Sequence, residues 1–346
     1  MEKINVIEPI FINNYVAVAM SSSDAYLPYL SVCIQSLVDN SSVDTNYDIV
    51  VFSTSTDECK KQLIVEHFRK DNISIRFFNP KDYFKNIKLN ITHSYFNEAC
   101  YFRIVAPVVM SKYSKLIFTD IDLLFLTDVK ELYDNNVDGY CLAACKEPLW
   151  EILIDENAVF KTIHVKEYTK SVLNISANQY FNTGVVLFNV KKYNEENCFE
   201  KLLDLIENNF FLYQEQCALN KLCNSEIKPL EKNWNSEIDV HLSNDFYDYQ
   251  KSKILHFLGK NKPWLYKNED YADVWWAYAE KTPFKNEIIE GLKYQQKIIK
   301  NQINLIMLKV LKYKILSSLT FGEKHKYYYD KYVNNKKNIE FLKKQL

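Results

Sequence analysis

The chain has 346 residues, of which 47% are hydrophobic and 25% are charged, and its formal net charge is −1. This composition is typical of a soluble globular protein with one large domain or two smaller ones. Only 5 residues are glycine, and neither a GxGxxG nor a GxxxxGK pattern occurs, which argues against a glycine-rich phosphate-binding loop. No basic-then-apolar signal pattern opens the chain, and no uncharged apolar stretch is long enough to span a membrane.

The 8 cysteines show no CxxC pair and no paired spacing of the zinc-binding type. Several of them lie in apolar runs, as in GYCLAAC at residues 139–145. Buried, reduced thiols are the expected state, and they suit a cytoplasmic protein.

Strand and helix patterns alternate over the first 265 residues. Apolar, β-prone runs predict strands at 15–20, 47–55, 73–79, 115–125, 139–147, 183–190 and 253–259. Helical spacing predicts helices at 21–40, at 59–70, at 97–110 as far as its proline, and at 198–210. This order predicts an α/β fold with a mostly parallel sheet covered by helices on both faces, and ligands bound beyond the carboxyl ends of its strands.

Two acidic residues interrupt the apolar run KLIFTDIDLLF. Asp120 and Asp122 are expected to project side by side where the strand ends, and two such carboxylates need a cation to stabilise them. A strand end followed by a turn, where aspartate is common, is the alternative. Oxygen ligands favour Mg²⁺ or Mn²⁺, and a third ligand at His256, at the end of a later strand, would favour Mn²⁺. Near His256, Gly259 would allow close backbone approach and Lys262 would neutralise a phosphate.

The C-terminal part differs in charge from the rest of the chain. Residues 291–346 contain 13 lysines and 3 acidic residues, so the preceding part is acidic overall. A long helical pattern with interleaved lysines runs through this part and is followed by a segment rich in lysine and tyrosine; its apolar positions are Ile298, Ile299, Ile303, Ile306, Leu308, Leu311, Ile315 and Leu319. Such a segment is expected on an anionic membrane surface, the alternatives being a packed helical arm or an oligomer contact. The acidic body argues against nucleic acid as a partner.

Five segments together resemble the family 8 glycosyltransferases. The segment ACYFRIVAPVVMSKYSKLIFTDIDLLFLTDVKELYD is similar to the metal-binding region of that family, and QYFNTGVVLFNVKKY, EQCALN, KNWN and HFLGKNKPW follow in the family's order. The resemblance covers about residues 15–266. It implies a retaining enzyme with the GT-A fold, a Mn²⁺ or Mg²⁺ ion and a UDP-sugar donor. The expected domains are a catalytic one at 1–266 and a helical, basic and aromatic extension at 267–346.

The resemblance also implies roles for individual residues. Asp120 and Asp122 match the metal-binding motif, with Ile121 between them at the nucleotide, and His256 matches the third metal ligand. Gly259 and Lys262 match the loop that contacts the diphosphate, and Arg103 matches an arginine facing the donor. The positions that match the surroundings of the transferred sugar, and so the catalytic residues, are Asn182, Glu215 and Gln216.

The chain departs from the family pattern at two positions. Where many members have an aspartate that contacts uracil, this chain reads SSSDAY, so Ser23 or Asp24 would take that role and Tyr26 would stack on the base. Cys217 occupies the place of an acidic residue that follows the glutamine, which weakens a double-displacement mechanism with a carboxylate there. Glu147 is a looser match to another sugar-binding acid. Front-face attack, with the departing phosphate accepting the proton, needs no protein nucleophile.

The function expected from the resemblance is transfer of galactose or glucose from UDP-galactose or UDP-glucose to a hydroxyl of an oligosaccharide or lipid-linked glycan. The product would be bacterial lipopolysaccharide, lipooligosaccharide or another surface glycan, made in the cytoplasm or on the inner face of the cell membrane. One alternative is a non-catalytic protein of the same fold that binds sugar nucleotides or acts as a scaffold. Another is a haloacid-dehalogenase-like phosphatase, which also uses Asp-x-Asp after an apolar strand, but nearer to the chain start.

Overall fold

The computed structural model describes residues 6–85, 87–89, 91, 98–160, 162–238, 247–260, 262–344 and 346. The chain divides into two compact units, Met1–Gly259 and Lys260–Leu346. The strands are β1 (Tyr15–Ser22), β2 (Asn46–Ser53), β3 (Ile73–Phe78), β4 (Lys115–Thr119), β5 (Leu123–Phe125), β6 (Leu142–Lys146), β7 (Val159–Phe160), β8 (Ile163–His164), β9 (Phe181–Asn189), β10 (Ile227–Pro229), β11 (Ser236–Ile238) and β12 (Ile254–Phe257). The helices are α1 (Leu27–Asp39), α2 (Glu58–His67), α3 (Phe102–Val109), α4 (Lys130–Tyr133), α5 (Pro148–Asp155), α6 (Val165–Tyr168), α7 (Val190–Glu195), α8 (Cys198–Asn208), α9 (Gln214–Cys223), α10 (Ala272–Ala279), α11 (Lys285–Ser318) and α12 (Gly322–Lys344).

A seven-stranded sheet forms the centre of the first unit, in the order β10-β6-β9-β4-β1-β2-β3. All neighbours are parallel except β9, which runs antiparallel to both β4 and β6. The inner strands are buried along almost their whole length, which explains their nearly continuous apolar sequences. The predicted mostly parallel sheet flanked by helices is confirmed.

The prediction of a single strand at 115–125 is wrong in one respect, because this segment forms two strands that belong to two different sheets. The chain leaves the central sheet after Thr119, and β5 joins a three-stranded sheet in the order β11-β12-β5. Backbone hydrogen bonds hold the connection: Asp120 N donates to Gly184 O at 2.8 Å, and Phe257 N donates to Asp122 O at 2.9 Å. The two aspartates therefore lie between two sheets and not within one strand.

The helix predicted to end at its proline continues two residues further. Pro107 lies inside α3, which ends at Val109, and residue 97, where this helix was expected to begin, lies outside the described residues. A proline inside a helix removes one backbone hydrogen bond. The fully buried side chains of Ile104, Val105 and Val109 offset that loss through their packing.

The eight cysteines, all within the described residues, form no disulfide. Six of them are buried, and only Cys59 is exposed. Their state agrees with the expected reduced thiols.

The second unit contains α10, α11 and α12. Ile299 and Ile303 of α11 pack against Ile339 of α12, so part of the predicted apolar face is covered within the unit. A second apolar stripe, on α11 and the residue that follows it, is exposed and consists of Leu308, Leu311, Ile315 and Leu319. Among the described residues, none of the helices has the length and hydropathy that crossing a membrane requires.

Candidate active site

Three potential metal ligands meet where the seven-stranded and the three-stranded sheets of the first unit adjoin. Asp120 and Asp122 follow β4, and His256 lies in β12; one ligand atom from each lies within 4.8 Å of the others. His256 Nε2 is 3.2 Å from Asp122 Oδ1 and 3.8 Å from Asp120 Oδ2. The imidazole is buried, whereas both carboxylates are partly exposed, so the group is open on one side.

The chemistry of these donor atoms fits a divalent cation. Two carboxylates and one imidazole are ligands that Mn²⁺ accepts readily and that Mg²⁺ also tolerates. The second ring nitrogen of His256, Nδ1, is 2.8 Å from Asn235 Oδ1, which leaves Nε2 directed toward the carboxylates. Hydrogen bonding of the second ring nitrogen is the usual arrangement of a metal-binding histidine. This cluster is where the sequence places the metal ligands.

Arg103 connects the first aspartate to the predicted catalytic residues. Its guanidinium is buried and donates hydrogen bonds to Asp120 Oδ1, to Glu215 Oε1 and, at 3.0 Å, to Thr183 Oγ1. The ring of Phe118 lies below it, 5.1 Å from ring centroid to Cζ. Burial raises the pKa of Glu215 to about 7, although the charge of Arg103 acts in the opposite direction. The guanidinium of Arg103 thus forms ion pairs with two carboxylates.

The side-chain amide of Gln216 has a defined orientation. Gln216 Oε1 accepts hydrogen bonds from Thr183 N at 2.9 Å and from Thr183 Oγ1 at 3.2 Å. Its Nε2 donates to Tyr180 Oη at 3.3 Å. Since the backbone N–H of Thr183 can only donate, the carbonyl end of the amide faces the protein. Gln216 is half-buried, so the group is still accessible from the site.

Cys217, by contrast, faces away from solvent. Its Sγ lies 3.1 Å from Tyr180 Oη and is fully buried. Burial raises the pKa of the thiol to about 11. The neutral thiol is not a nucleophile, so Cys217 supplies no nucleophile at this position.

Asn182 is engaged at both ends of its amide. Nδ2 donates to Glu147 Oε2 at 2.7 Å, and Oδ1 accepts from Gly184 N at 2.7 Å. Glu147 also caps α5 by accepting from Leu149 N, and burial raises its pKa. Asn182 and Glu147 thus stabilise the N-terminal end of β9, next to the potential metal ligands.

The residues expected at the nucleotide lie mostly around the end of β1. Ser23 follows that strand, Asp24 is exposed and accepts a hydrogen bond from Ser55 Oγ, and Tyr26 immediately precedes α1. Burial and the negative charge of Asp122 raise the pKa of Tyr26.

The remaining three expected contacts are spread along the chain. Ile121 is buried between the two aspartates. Gly259 has φ +65°, a conformation that favours glycine, two residues after β12. Lys262 belongs to the second unit, and its contact with a diphosphate stays a prediction.

Sequence reasoning did not identify the roles of Thr183, Gly184 and Asn235. All three residues are buried. They lie in the segments FNTG and KNWN, which are part of the resemblance. Those segments were the available signal, but only the structure shows which side chains they contact.

The family model for glycosyl transferase family 8 matches residues 17–268. A curated relative, a putative glycosyltransferase of Haemophilus influenzae, is 26% identical over 293 residues, which cover 77% of this chain and 84% of the relative. The lipopolysaccharide 1,2-glucosyltransferase of Escherichia coli is 24% identical over 55% of this chain and 56% of its own length. The apo structure of the bifunctional glycosyltransferase WbbM is similar with a TM-score of 0.75 and 26% identity, over 83% of this chain and 53% of that one.

These matches agree with the sheet order and the metal-ligand cluster in defining a glycosyltransferase with the GT-A fold. The chain belongs to glycosyltransferase family 8.

Proposed function

We propose that this chain is a metal-dependent, retaining hexosyltransferase that moves galactose or glucose from a UDP-sugar to a hydroxyl of a glycan acceptor. The observation that supports it most strongly is the cluster of Asp120, Asp122 and His256, linked through Arg103 to Glu215. A metal site with partly exposed carboxylates, joined by a buried arginine to a second acidic side chain, is suited to stabilise a diphosphate leaving group next to a sugar.

Asp120, Asp122 and His256 would hold Mn²⁺ or Mg²⁺, which supplies Lewis-acid stabilisation of the departing diphosphate. Arg103 fixes Asp120 and offsets its charge. Gln216 presents its amide to the sugar without a free carbonyl oxygen, and Cys217 is a buried thiol. These two features support front-face attack by the acceptor, with the proton passing to the leaving phosphate.

The donor nucleotide would lie across the carboxyl end of β1, in line with the general position of ligands in such sheets. Tyr26 would stack on the uracil, and Ser23 or Asp24 would bind its polar edge. Ile121, Gly259 and Lys262 would complete the contacts to the ribose and the diphosphate.

The acceptor that we propose is an oligosaccharide or lipid-linked glycan of bacterial lipopolysaccharide, lipooligosaccharide or another surface glycan. The name of the Escherichia coli relative supports this class. The exposed stripe of Leu308, Leu311, Ile315 and Leu319, with exposed lysines at 312 and 314, supports attachment to an anionic membrane surface. We infer that the enzyme works in the cytoplasm, at the inner face of the cell membrane.

Release of free nucleotide from a panel of nucleotide sugars, with Mn²⁺ or with EDTA, tests this function. We expect Mn²⁺-dependent release of UDP from UDP-galactose or UDP-glucose and a loss of at least about 100-fold in Asp122→Asn, because that change removes a charged metal ligand. Asp138→Asn, an exposed aspartate away from the cluster, is the matched control. Nucleotide-sugar binding without turnover would favour the scaffold alternative, and equal turnover of Asp122→Asn and wild type would refute the metal site.

A further inference from the structure

His256 is held on the side opposite to the carboxylates by Asn235, which is itself fully buried. His256 Nδ1 is 2.8 Å from Asn235 Oδ1, and Asn235 Nδ2 donates to Glu237 Oε1 at 3.5 Å. The amide nitrogen of Asn235 thus faces Glu237, and its amide oxygen faces the imidazole. Since an amide oxygen can only accept a hydrogen bond, this contact favours a proton on Nδ1 of His256.

Gly184 bounds another face of the same ring. A Cβ atom at this position would lie 2.3 Å from His256 Cε1 and 2.9 Å from His256 Nδ1. The backbone of Gly184 cannot retreat easily, because its carbonyl oxygen accepts from Asp120 N at 2.8 Å and its N–H donates to Asn182 Oδ1 at 2.7 Å. The imidazole thus packs directly on the backbone of β9, and only glycine leaves room for it.

These contacts place His256 Nε2 next to two carboxylates. His256 Nε2 is 3.2 Å from Asp122 Oδ1 and 3.8 Å from Asp120 Oδ2. A cation shared by these three atoms stabilises them, and a divalent metal ion takes this place when Nε2 carries no proton.

We propose that Asn235 and Gly184 are positioning residues, which fix the tautomer and the place of His256 so that Nε2 is presented to a divalent cation. This inference rests on the metal-binding part of the proposed function. It assigns no contact with the substrate to either residue.

The tautomer can be measured in the metal-free protein by NMR of ¹⁵N-labelled histidine rings, with His256→Ala used to assign the signal among the 6 histidines. We expect Nδ1 to be protonated in wild type and in Asn235→Asp, whose carboxylate also accepts, and a form protonated on Nε2 alone to appear in Asn235→Leu. The affinity for Mn²⁺, measured from the electron spin resonance of free Mn²⁺, should fall about 10- to 100-fold in Asn235→Leu. Asn233→Ala, in the same turn, is the control. An unchanged tautomer and affinity in Asn235→Leu would overturn the proposal.

A double-mutant comparison tests Gly184 and does not depend on metal. Gly184→Ala should lower the melting temperature clearly in wild type and less in His256→Ala, where the closest contact of the new methyl group is missing and its 2.9 Å approach to Asn182 Oδ1 remains. Equal losses in both backgrounds would overturn the role of Gly184. Absence of Mn²⁺ binding by wild type would refute the metal part of the proposed function, whereas the tautomer in the metal-free protein would still decide whether Asn235 holds His256.

Discussion

Glu215 should make the stability of the metal-free protein depend on pH. Glu215 is 4% exposed, and burial raises the pKa of its carboxyl from an ordinary value of 4.5 to about 7. Between these two values the folded protein keeps a proton that the unfolded chain releases. Because the folded state then binds more protons, its free energy of unfolding decreases as the pH rises through this window, and the decrease ends above about pH 7.

The size of the effect follows from the shift. Each pKa unit corresponds to about 1.4 kcal/mol, so the full shift corresponds to about 3 kcal/mol between pH 4 and pH 8. Glu215→Gln replaces the carboxyl by a group of similar shape that does not titrate. We therefore expect the variant to lose this part of the pH dependence, while Glu207→Gln, an exposed glutamate in α8, keeps it.

Urea unfolding of wild type and Glu215→Gln in EDTA, at intervals from pH 4 to pH 8, gives one curve of unfolding free energy against pH for each protein. The difference between the two curves reports on Glu215, because the titrating groups that both proteins share cancel. Parallel curves for wild type and Glu215→Gln would refute the reasoning. A wild-type stability that rises relative to the variant over the same range would show that Arg103 keeps Glu215 ionised throughout.

Two further predictions concern Cys217 and the exposed stripe of α11. Cys217→Ala should retain nucleotide release within about 3-fold, because the buried neutral thiol is not a nucleophile; a loss of about 1,000-fold in a variant that is still folded by circular dichroism would show that the thiol takes part in the reaction. Leu311→Glu combined with Ile315→Glu should abolish co-flotation with vesicles containing anionic lipid, whereas Val43→Glu, an exposed apolar residue of the first unit, should not. Equal flotation of both variants would refute attachment through the stripe.

The grouping of Asp120, Asp122 and His256 was predictable from the sequence, but the way in which the two sheets hold these residues was not. The spacing of Asp120 and Asp122 after an apolar run indicated a cation, and the resemblance added His256. The break between β4 and β5 was missed because the run KLIFTDIDLLF is uniformly apolar on both sides of the aspartates. Hydrogen bonds to Gly184 and Phe257, both distant in sequence, decide where the chain changes sheets.

The same limit applies to the residues around the ligands. Asn235 precedes His256 by 21 residues, and no local pattern connects an asparagine in a turn to a histidine in a later strand. The sequence predicts a helix end near Pro107 because proline lacks the backbone donor that a helix interior uses, whereas the burial of its neighbours keeps the helix intact. Local sequence patterns thus predict the type of chemistry, whereas contacts between distant segments determine the geometry of the site.

The charges of the site explain why a divalent cation should suit it. Asp120, Asp122 and an ionised Glu215 contribute three negative charges, and Arg103 contributes one positive charge, which leaves an excess that a divalent cation balances. In the metal-free protein, Arg103 is shared between Asp120 and Glu215, and Glu215 retains its proton to a higher pH. A cation bound to Asp120 would neutralise that carboxylate and leave Arg103 paired with Glu215 alone. This pairing favours the ionised form of Glu215. Saturating Mn²⁺ should therefore reduce the pH dependence that Glu215 imposes on stability, and an undiminished dependence would show that the cation and Arg103 act independently.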